Sequence, residues 1–155
     1  MKYDSKQDTL NHIRRVQDLL ADAVNELTKR ASVHDKSKLE SPEKELFDEY
    51  TPKLKNCTYG SDEYKGFLKG LGVALDHHYA KNSHHPEHYA NGVNGFDLFD
   101  LLEMFFDWKA ATERHADGDI MKSIELNEKI FNISPQISSI FRNTAERMFS
   151  KNGTN

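Results

Sequence analysis

Apolar side chains recur at helical spacing along most of the chain, and this spacing constrains the fold more than any other feature. In the first 30 residues, Ile13, Val16 and Leu20 lie three and four positions apart, with charged residues between them. Residues at this spacing share one face of an α-helix, whereas strands alternate every second residue. The sequence therefore predicts an all-α fold, a compact bundle of about six helices forming a single domain over residues 1–155.

Capping residues indicate where these helices begin. A serine or aspartate before a helix can accept a hydrogen bond from the first turn, and the predicted caps are Ser41, Ser61, Asp119 and Ser134. The second helix is expected to end near Pro52, because proline lacks an N–H group. The predicted helices cover residues 8–30, 42–52, 61–81, 96–115, 120–131 and 135–148. Residues 82–95 are predicted to form a loop, and the tail from about 151 is predicted to be disordered.

Composition excludes several classes of function. The formal net charge of −4 argues against binding a long nucleic acid, because such proteins usually present a basic face. No apolar run approaches the roughly 20 residues of a membrane span, and the first residues lack the apolar stretch of a secretory signal. We therefore expect a cytoplasmic protein with a small-molecule partner, and the sequence leaves its oligomeric state open.

Histidine and carboxylate residues gather in a way that suits a divalent metal ion. Cys57 is the only cysteine, so nitrogen and oxygen atoms must supply the ligands. Candidate residues occur on the first helix, in a His-Asp pair, in a dense histidine cluster and between aromatic residues; they are His12, His34, Asp35, His77, His78, His84, His85 and Asp107. Such ligands accommodate manganese, iron, cobalt, nickel, zinc or magnesium, so the sequence predicts one or two divalent ions without identifying the metal.

Several of these residues also carry a resemblance to known families. The order of His12, His34-Asp35 and Asp107, with Lys38 completing an HDxxK arrangement, resembles the HD-domain metal-dependent phosphohydrolase superfamily. The segments HDKSK, HHYAKNSHHPEHY and EMFFDWKAA more closely resemble an uncharacterised family of phages and bacteria, domain-of-unknown-function family 5662. A phage-encoded member would act in the host cytoplasm.

The resemblance implies an HD-like helical bundle in which His12, His34, Asp35 and Asp107 ligate the primary metal. His77 and His78 occupy the position of further ligands in two-metal HD phosphodiesterases. The implied activity is a nucleotidase or phosphodiesterase reaction, in which a metal-activated water attacks a small phosphate ester such as a nucleotide.

Other side chains are predicted to act on the substrate. HD nucleotidases often have a carboxylate where this chain has Lys38, so the lysine is better interpreted as a phosphate contact. The predicted phosphate-binding residues are Arg15, Lys38, Lys81 and Asn82. His84 or His85 could protonate the leaving oxygen, although either could instead be a further ligand or a phosphate contact. Glu103 is predicted to orient a ligand or a metal-bound water.

Each candidate has a simpler structural alternative. His12 could be a half-buried histidine, His34-Asp35 a capped turn, and Asp107 a buried acid paired with lysine or arginine. His77 and His78 are expected to point to different sides of their helix, while His88 and His115 are expected at the surface. Asp97 and Asp100 fit a solvated stripe. Two alternative functions also stay open: a di-iron oxygenase, and a non-catalytic metal-binding or nucleotide-binding module.

Overall fold

Six α-helices make up most of the computed structural model, which describes residues 3–58, 61–114 and 118–150. They are α1 (Lys6–Val33), α2 (Glu43–Lys55), α3 (Asp62–Lys81), α4 (Leu98–Thr112), α5 (Ile120–Ile130) and α6 (Pro135–Phe149). Short 3₁₀ turns cover Lys36–Leu39, Pro86–His88 and Gly92–Gly95. The prediction of an all-α fold with about six helices is confirmed. The expectations for His115 and for the tail from 151 lie outside the described residues.

Three of the four predicted caps are present. The side chains of Ser61, Asp119 and Ser134 each accept a hydrogen bond from a backbone N–H in the first turn of the following helix. The predicted ends of α1 and α4 differ from the observed ends by less than one turn. Local capping chemistry therefore accounts for the starts of α3, α5 and α6.

The predicted start of α2 lies within one residue of the observed start, but its predicted cap and its predicted end at Pro52 are wrong. Ser41 does not cap this helix, which begins at Glu43 with no side-chain cap, and Pro52 lies inside it. The helix continues to Lys55. Because α2 packs along α3, this tertiary contact outweighs the loss of one backbone hydrogen bond at the proline.

The chain divides into two structural units, Met1–His34 and Asp35–Asn155. The first unit consists mainly of α1, and none of the residues of this helix is buried. The second unit contains α2 to α6 together with the connecting loops. The prediction of a single domain stays a prediction.

An apolar core joins α4, α5 and α6 in the second unit. Its buried residues, which we call the apolar core, are Met104, Phe105, Ile124, Ile133, Phe141 and Ala145. The rings of Phe105 and Phe141 stack with centroids 5.3 Å apart. Burial of this apolar area is the main favourable term that holds the three helices together.

A second buried stripe follows α3 where it packs against α2. Gly70 lies directly against the ring of Tyr50, so any larger side chain at this position would collide with that ring. Further along the same face, Leu71, Ala74 and His78 are buried, at spacings of three and four residues. The stripe therefore ends in a histidine. Among the residues described, no helix combines the length and the apolar character needed to cross a bilayer.

Candidate metal centre

His78 is the last buried residue of the α3 stripe, and its ring is fixed by a carboxylate. The residue is 1% exposed. Its Nδ1 lies 2.9 Å from Oε2 of Glu43. Since a carboxylate can only accept a hydrogen bond, Nδ1 carries the hydrogen, and Nε2 presents a lone pair on the opposite side of the ring. This is the tautomer that a metal ligand requires.

Glu43, which positions His78, is a residue that sequence reasoning missed. It is the first residue of α2 and is completely buried. Its other oxygen, Oε1, lies 2.7 Å from Nδ1 of His77, and Ser37 Oγ donates to Oε2 at 3.1 Å. An acid in the first turn is ordinary, because it complements the helix dipole. The sequence therefore contained no signal for its inward orientation.

His84 repeats the arrangement of His78 on a different element. It lies in the loop between α3 and α4 and is 1% exposed. Its Nδ1 lies 3.1 Å from Oε1 of Glu103, a residue of α4. The carboxylate therefore contacts the ring on its Nδ1 side, and the buried Nε2 lies on the other side of the ring.

Asp35 brings an oxygen to both of these nitrogens. Its backbone lies in the left-handed region, with φ 54° and ψ 14°. One carboxylate oxygen, Oδ2, accepts a 2.6 Å hydrogen bond from Lys38 Nζ. The other, Oδ1, lies 3.3 Å from Nε2 of His78 and 3.5 Å from Nε2 of His84. Asp35 therefore presents one oxygen to the histidines and one to the lysine.

His85 completes the group, which we call the histidine cluster: Asp35, His78, His84 and His85. Its Nε2 lies 2.9 Å from Nε2 of His78, and one ligand atom from each member lies within 4.8 Å of the others. Burial, with the neighbouring His84 and His78, lowers the pKa of His85 to about 3, against the opposing effect of Asp107 and Asp35. The imidazole is therefore neutral at pH 7, the form that can bind a metal.

The chemistry of this donor set fits a transition-metal ion. Three imidazole nitrogens and one carboxylate oxygen suit zinc, iron, manganese or cobalt, whereas calcium and magnesium prefer oxygen ligands. Asp107, half-buried on α4, places a carboxylate oxygen within 4.8 Å of a ligand atom of Asp35. Asp35 therefore lies close to a second carboxylate as well as to the histidines.

The other predicted site residues occupy varied positions. In the first unit, His12 and Arg15 are exposed on α1, and His34 follows its last residue, so their proposed roles stay predictions. Lys81 is exposed at the end of α3. The amide of Asn82 donates to Ser37 Oγ and to the carbonyl oxygen of His78, both at 2.8 Å.

His77 and His78 use the same carboxylate although they are adjacent on a helix. The rings of both residues reach Glu43, each through a different oxygen. Only His78 belongs to the histidine cluster, and the side chain of His77 is 34% exposed.

Asp100 contradicts its predicted place on a solvated stripe. It is 2% exposed, and its carboxylate accepts hydrogen bonds from the hydroxyls of Ser83 and Tyr89. The neighbouring Asp97 is exposed, as predicted, and caps α4. The expectation for Asp100 was wrong because the periodicity of α4 does not reveal that the preceding loop folds back over this position.

Together, the fold and the site define an all-helical protein with a buried cluster of histidine and carboxylate side chains suited to a metal ion. The chain belongs to the Family of unknown function (DUF5662), whose model matches residues 1–147. No curated protein and no solved structure matches the chain. The resemblance of its three segments to this family is confirmed.

Proposed function

We propose that this protein is a metal-dependent phosphohydrolase of the HD-domain superfamily, acting on a small phosphate ester such as a nucleotide. The order of its motifs supports this assignment, because His34-Asp35, Lys38 and Asp107 follow the HD pattern. The metal would be held by the histidine cluster, and Asp107 would join Asp35 in binding a second ion.

One observation carries the proposal: two buried histidines are each held by a carboxylate at Nδ1, while their Nε2 atoms lie near the same oxygen of Asp35. Glu43 holds His78, and Glu103 holds His84. Carboxylate–histidine pairs of this kind orient metal ligands and raise their basicity. Removing these nitrogen and oxygen acceptor atoms from water, while they face one another, costs free energy unless a proton or a cation lies between them.

A bound divalent ion would supply a Lewis acid that lowers the pKa of a coordinated water towards about 7. The residues of the chain prepare for this chemistry. Glu43 fixes the tautomer of His78, Glu103 contacts Nδ1 of His84, and Lys38 holds the second oxygen of Asp35. The ammonium group of Lys38 also places a positive charge beside the site, where it would favour binding of a phosphate group.

The geometry favours His84 and His85 as ligands over the alternative role of protonating the leaving oxygen. Both belong to the histidine cluster, and Nδ1 of His84 lies against the carboxylate of Glu103. At neutral pH the ring of His85 is uncharged, because burial lowers its pKa to about 3, so it is not an imidazolium acid.

Metal binding is the first test. Protein stripped with a chelator is titrated with Zn²⁺, Mn²⁺, Fe²⁺ and Co²⁺, and metal content and affinity are measured. We expect tight binding of at least one of these ions and loss of binding in Asp35→Asn. Asp76→Asn, which changes an exposed aspartate on α3, serves as the matched control. Binding that survives in Asp35→Asn would contradict the site.

Catalysis is the second test. The metal-loaded protein is incubated with nucleoside monophosphates, nucleoside triphosphates and cyclic nucleotides, and the products (phosphate, pyrophosphate, nucleoside or nucleoside monophosphate) are separated and measured. We expect hydrolysis that disappears in Asp35→Asn and persists in Asp76→Asn. Equal turnover by wild type and Asp35→Asn would indicate a contaminating enzyme and contradict the proposal.

The same tests separate the two alternatives. A di-iron oxygenase would retain iron, show a visible chromophore and consume oxygen without releasing phosphate. A non-catalytic module would bind the metal in a closed coordination shell and turn over no substrate. Either result would overturn the phosphohydrolase assignment while leaving the metal site in place.

A further inference from the structure

A single buried carboxylate fixes the loop that carries His84 and His85. Oδ1 of Asp100 accepts a 2.6 Å hydrogen bond from Ser83 Oγ, and Oδ2 accepts a 2.8 Å bond from the hydroxyl of Tyr89. These two donors flank the histidines in the sequence. The carboxylate thus bridges the loop from one side of the pair to the other.

The geometry at Asp100 suits this bridging function. The residue lies in the first turn of α4, where its Oδ2 also accepts from the backbone N–H of Asp97 at 3.3 Å. Burial and the hydrogen bond to Asp100 raise the pKa of Tyr89, so the phenol keeps its hydrogen and donates it. Hydrogen bonds to an ionised acceptor are roughly twice as strong as neutral ones.

An independent tie connects the start of the same loop to the segment that carries Asp35. Asn82 donates from Nδ2 to Ser37 Oγ at 2.8 Å, and Ser37 lies two residues after Asp35. Tyr89 is fixed further by Gly95, which lies so close to its ring that any Cβ would collide with it. The loop therefore has defined positions at residues 82, 83 and 89, and His84 and His85 lie between them.

We propose that Asp100 is a positioning residue for the metal centre: it holds the loop so that His84 and His85 each place a ligand nitrogen near Asp35 and His78. Asp100 is not itself a ligand in this proposal. The inference rests on the proposed metal site and extends it to the element that shapes it. Glu43 and Glu103 orient individual rings, whereas Asp100 fixes the backbone from which two of the rings project.

The test compares Asp100→Asn with Asp119→Ala. The asparagine keeps the size of Asp100, but its amide nitrogen cannot accept a hydrogen bond, so Ser83 and Tyr89 cannot both be satisfied as before. Asp119→Ala removes the cap of α5, a helix that contributes no residue to the histidine cluster, and does not touch Asp100 or the two hydroxyls. Metal affinity is measured by titration with Zn²⁺, the absorption spectrum is recorded with Co²⁺, and the melting temperature is measured without metal.

We expect Asp100→Asn to weaken Zn²⁺ binding by roughly 10- to 100-fold, as for other partners that orient ligands, and to alter the Co²⁺ spectrum. Asp119→Ala should lower the melting temperature but leave both the affinity and the spectrum unchanged. Ser83→Ala and Tyr89→Phe each remove one donor and should give smaller losses of affinity. These milder variants keep the test decisive if Asp100→Asn does not fold.

The outcomes distinguish the two proposals. If the wild-type protein binds none of the tested ions, the metal site and the role of Asp100 are both overturned. If the wild type binds Zn²⁺, and Asp100→Asn binds it with the same affinity and gives the same Co²⁺ spectrum, only the role of Asp100 is overturned. The same conclusion follows if both Ser83→Ala and Tyr89→Phe match the wild type in these two measurements. A fall in melting temperature alone would then assign Asp100 to the stability of α4.

Discussion

The apolar core and the histidine cluster are both deeply buried, but their stability has different origins. Helix α4 serves both: Met104 and Phe105 enter the apolar core, while the carboxylate of Glu103 contacts Nδ1 of His84. In the apolar core, burial itself is favourable and requires no particular partner. In the histidine cluster, burial costs free energy, and each polar atom needs a correctly placed neighbour. A buried polar region of this kind indicates a function, because an apolar substitute would stabilise the fold more simply.

The largest expected effect concerns the apolar core. Phe105→Ala removes a fully buried ring and should lower the free energy of unfolding by about 3–5 kcal/mol. Phe106→Ala, a change at the neighbouring residue, which is 40% exposed, is the matched control and should cost far less. Urea denaturation measures both, with and without metal. The comparison breaks down if the cost of Phe105→Ala changes when metal is removed, because the apolar core would then depend on the histidine cluster.

A smaller loss of stability, coupled to a loss of metal affinity, is expected for Glu43→Gln. The glutamine side chain has one oxygen where Glu43 has two, so it can accept a hydrogen bond from His77 or from His78 but not from both in the present geometry. One of the two ring N–H groups therefore loses its acceptor. The free energy of unfolding should fall by about 1–3 kcal/mol, and metal affinity should fall roughly 10- to 100-fold. Titration with Zn²⁺ and urea denaturation measure the two effects. Glu45→Gln, an exposed change on the same helix, should alter neither. Unchanged affinity in Glu43→Gln would show that this carboxylate serves only the fold.

The smallest expected effect, counted per pH unit, is a dependence of the free energy of unfolding on pH. It should arise in the histidine cluster and not in the apolar core. The pKa of His85 falls from an ordinary value of 6.5 to about 3 in the folded protein. Between these values the unfolded chain binds a proton that the folded chain does not, so stability falls as the pH drops below about 6.5. The slope from this group is at most about 1.4 kcal/mol per pH unit.

Urea midpoints of the metal-free protein at pH 7, 6, 5 and 4 test this dependence. The difference in unfolding free energy between wild type and His85→Gln should shrink or reverse as the pH falls, because glutamine does not titrate. Phe105→Ala, in contrast, should differ from wild type by the same amount at pH 7 and pH 6. A difference between wild type and His85→Gln that stays constant with pH would contradict a depressed pKa for His85.

Local chemistry in the sequence was enough to predict most of the fold. Ser61, Asp119 and Ser134 cap their helices as expected, since a cap depends only on residues within one turn. The errors at Ser41 and Pro52 arose where packing of α2 against α3 overrode the local signals. Capping rules do not include such long-range contacts.

The candidate site was only partly accessible from sequence. His78 continues the apolar stripe of Leu71 and Ala74, so its burial could have been predicted from spacing alone. Glu43 and Asp100 could not, because their partners lie on other elements and nothing nearby in the sequence distinguishes them from solvated acids. The identity of the histidines and of Asp35 was visible, whereas the carboxylates that support them became apparent only in three dimensions.

The left-handed backbone of Asp35 restricts what evolution or a protein engineer can place there. Glycine, asparagine and aspartate adopt this conformation readily, whereas most other side chains are strained in it. Among these three, only aspartate carries a charge. Glutamate would keep the charge but add the strain and displace the carboxylate by a methylene group. Position 35 therefore admits a single acidic residue, and a homologous chain with glycine or asparagine there would keep the turn while lacking the charged oxygen.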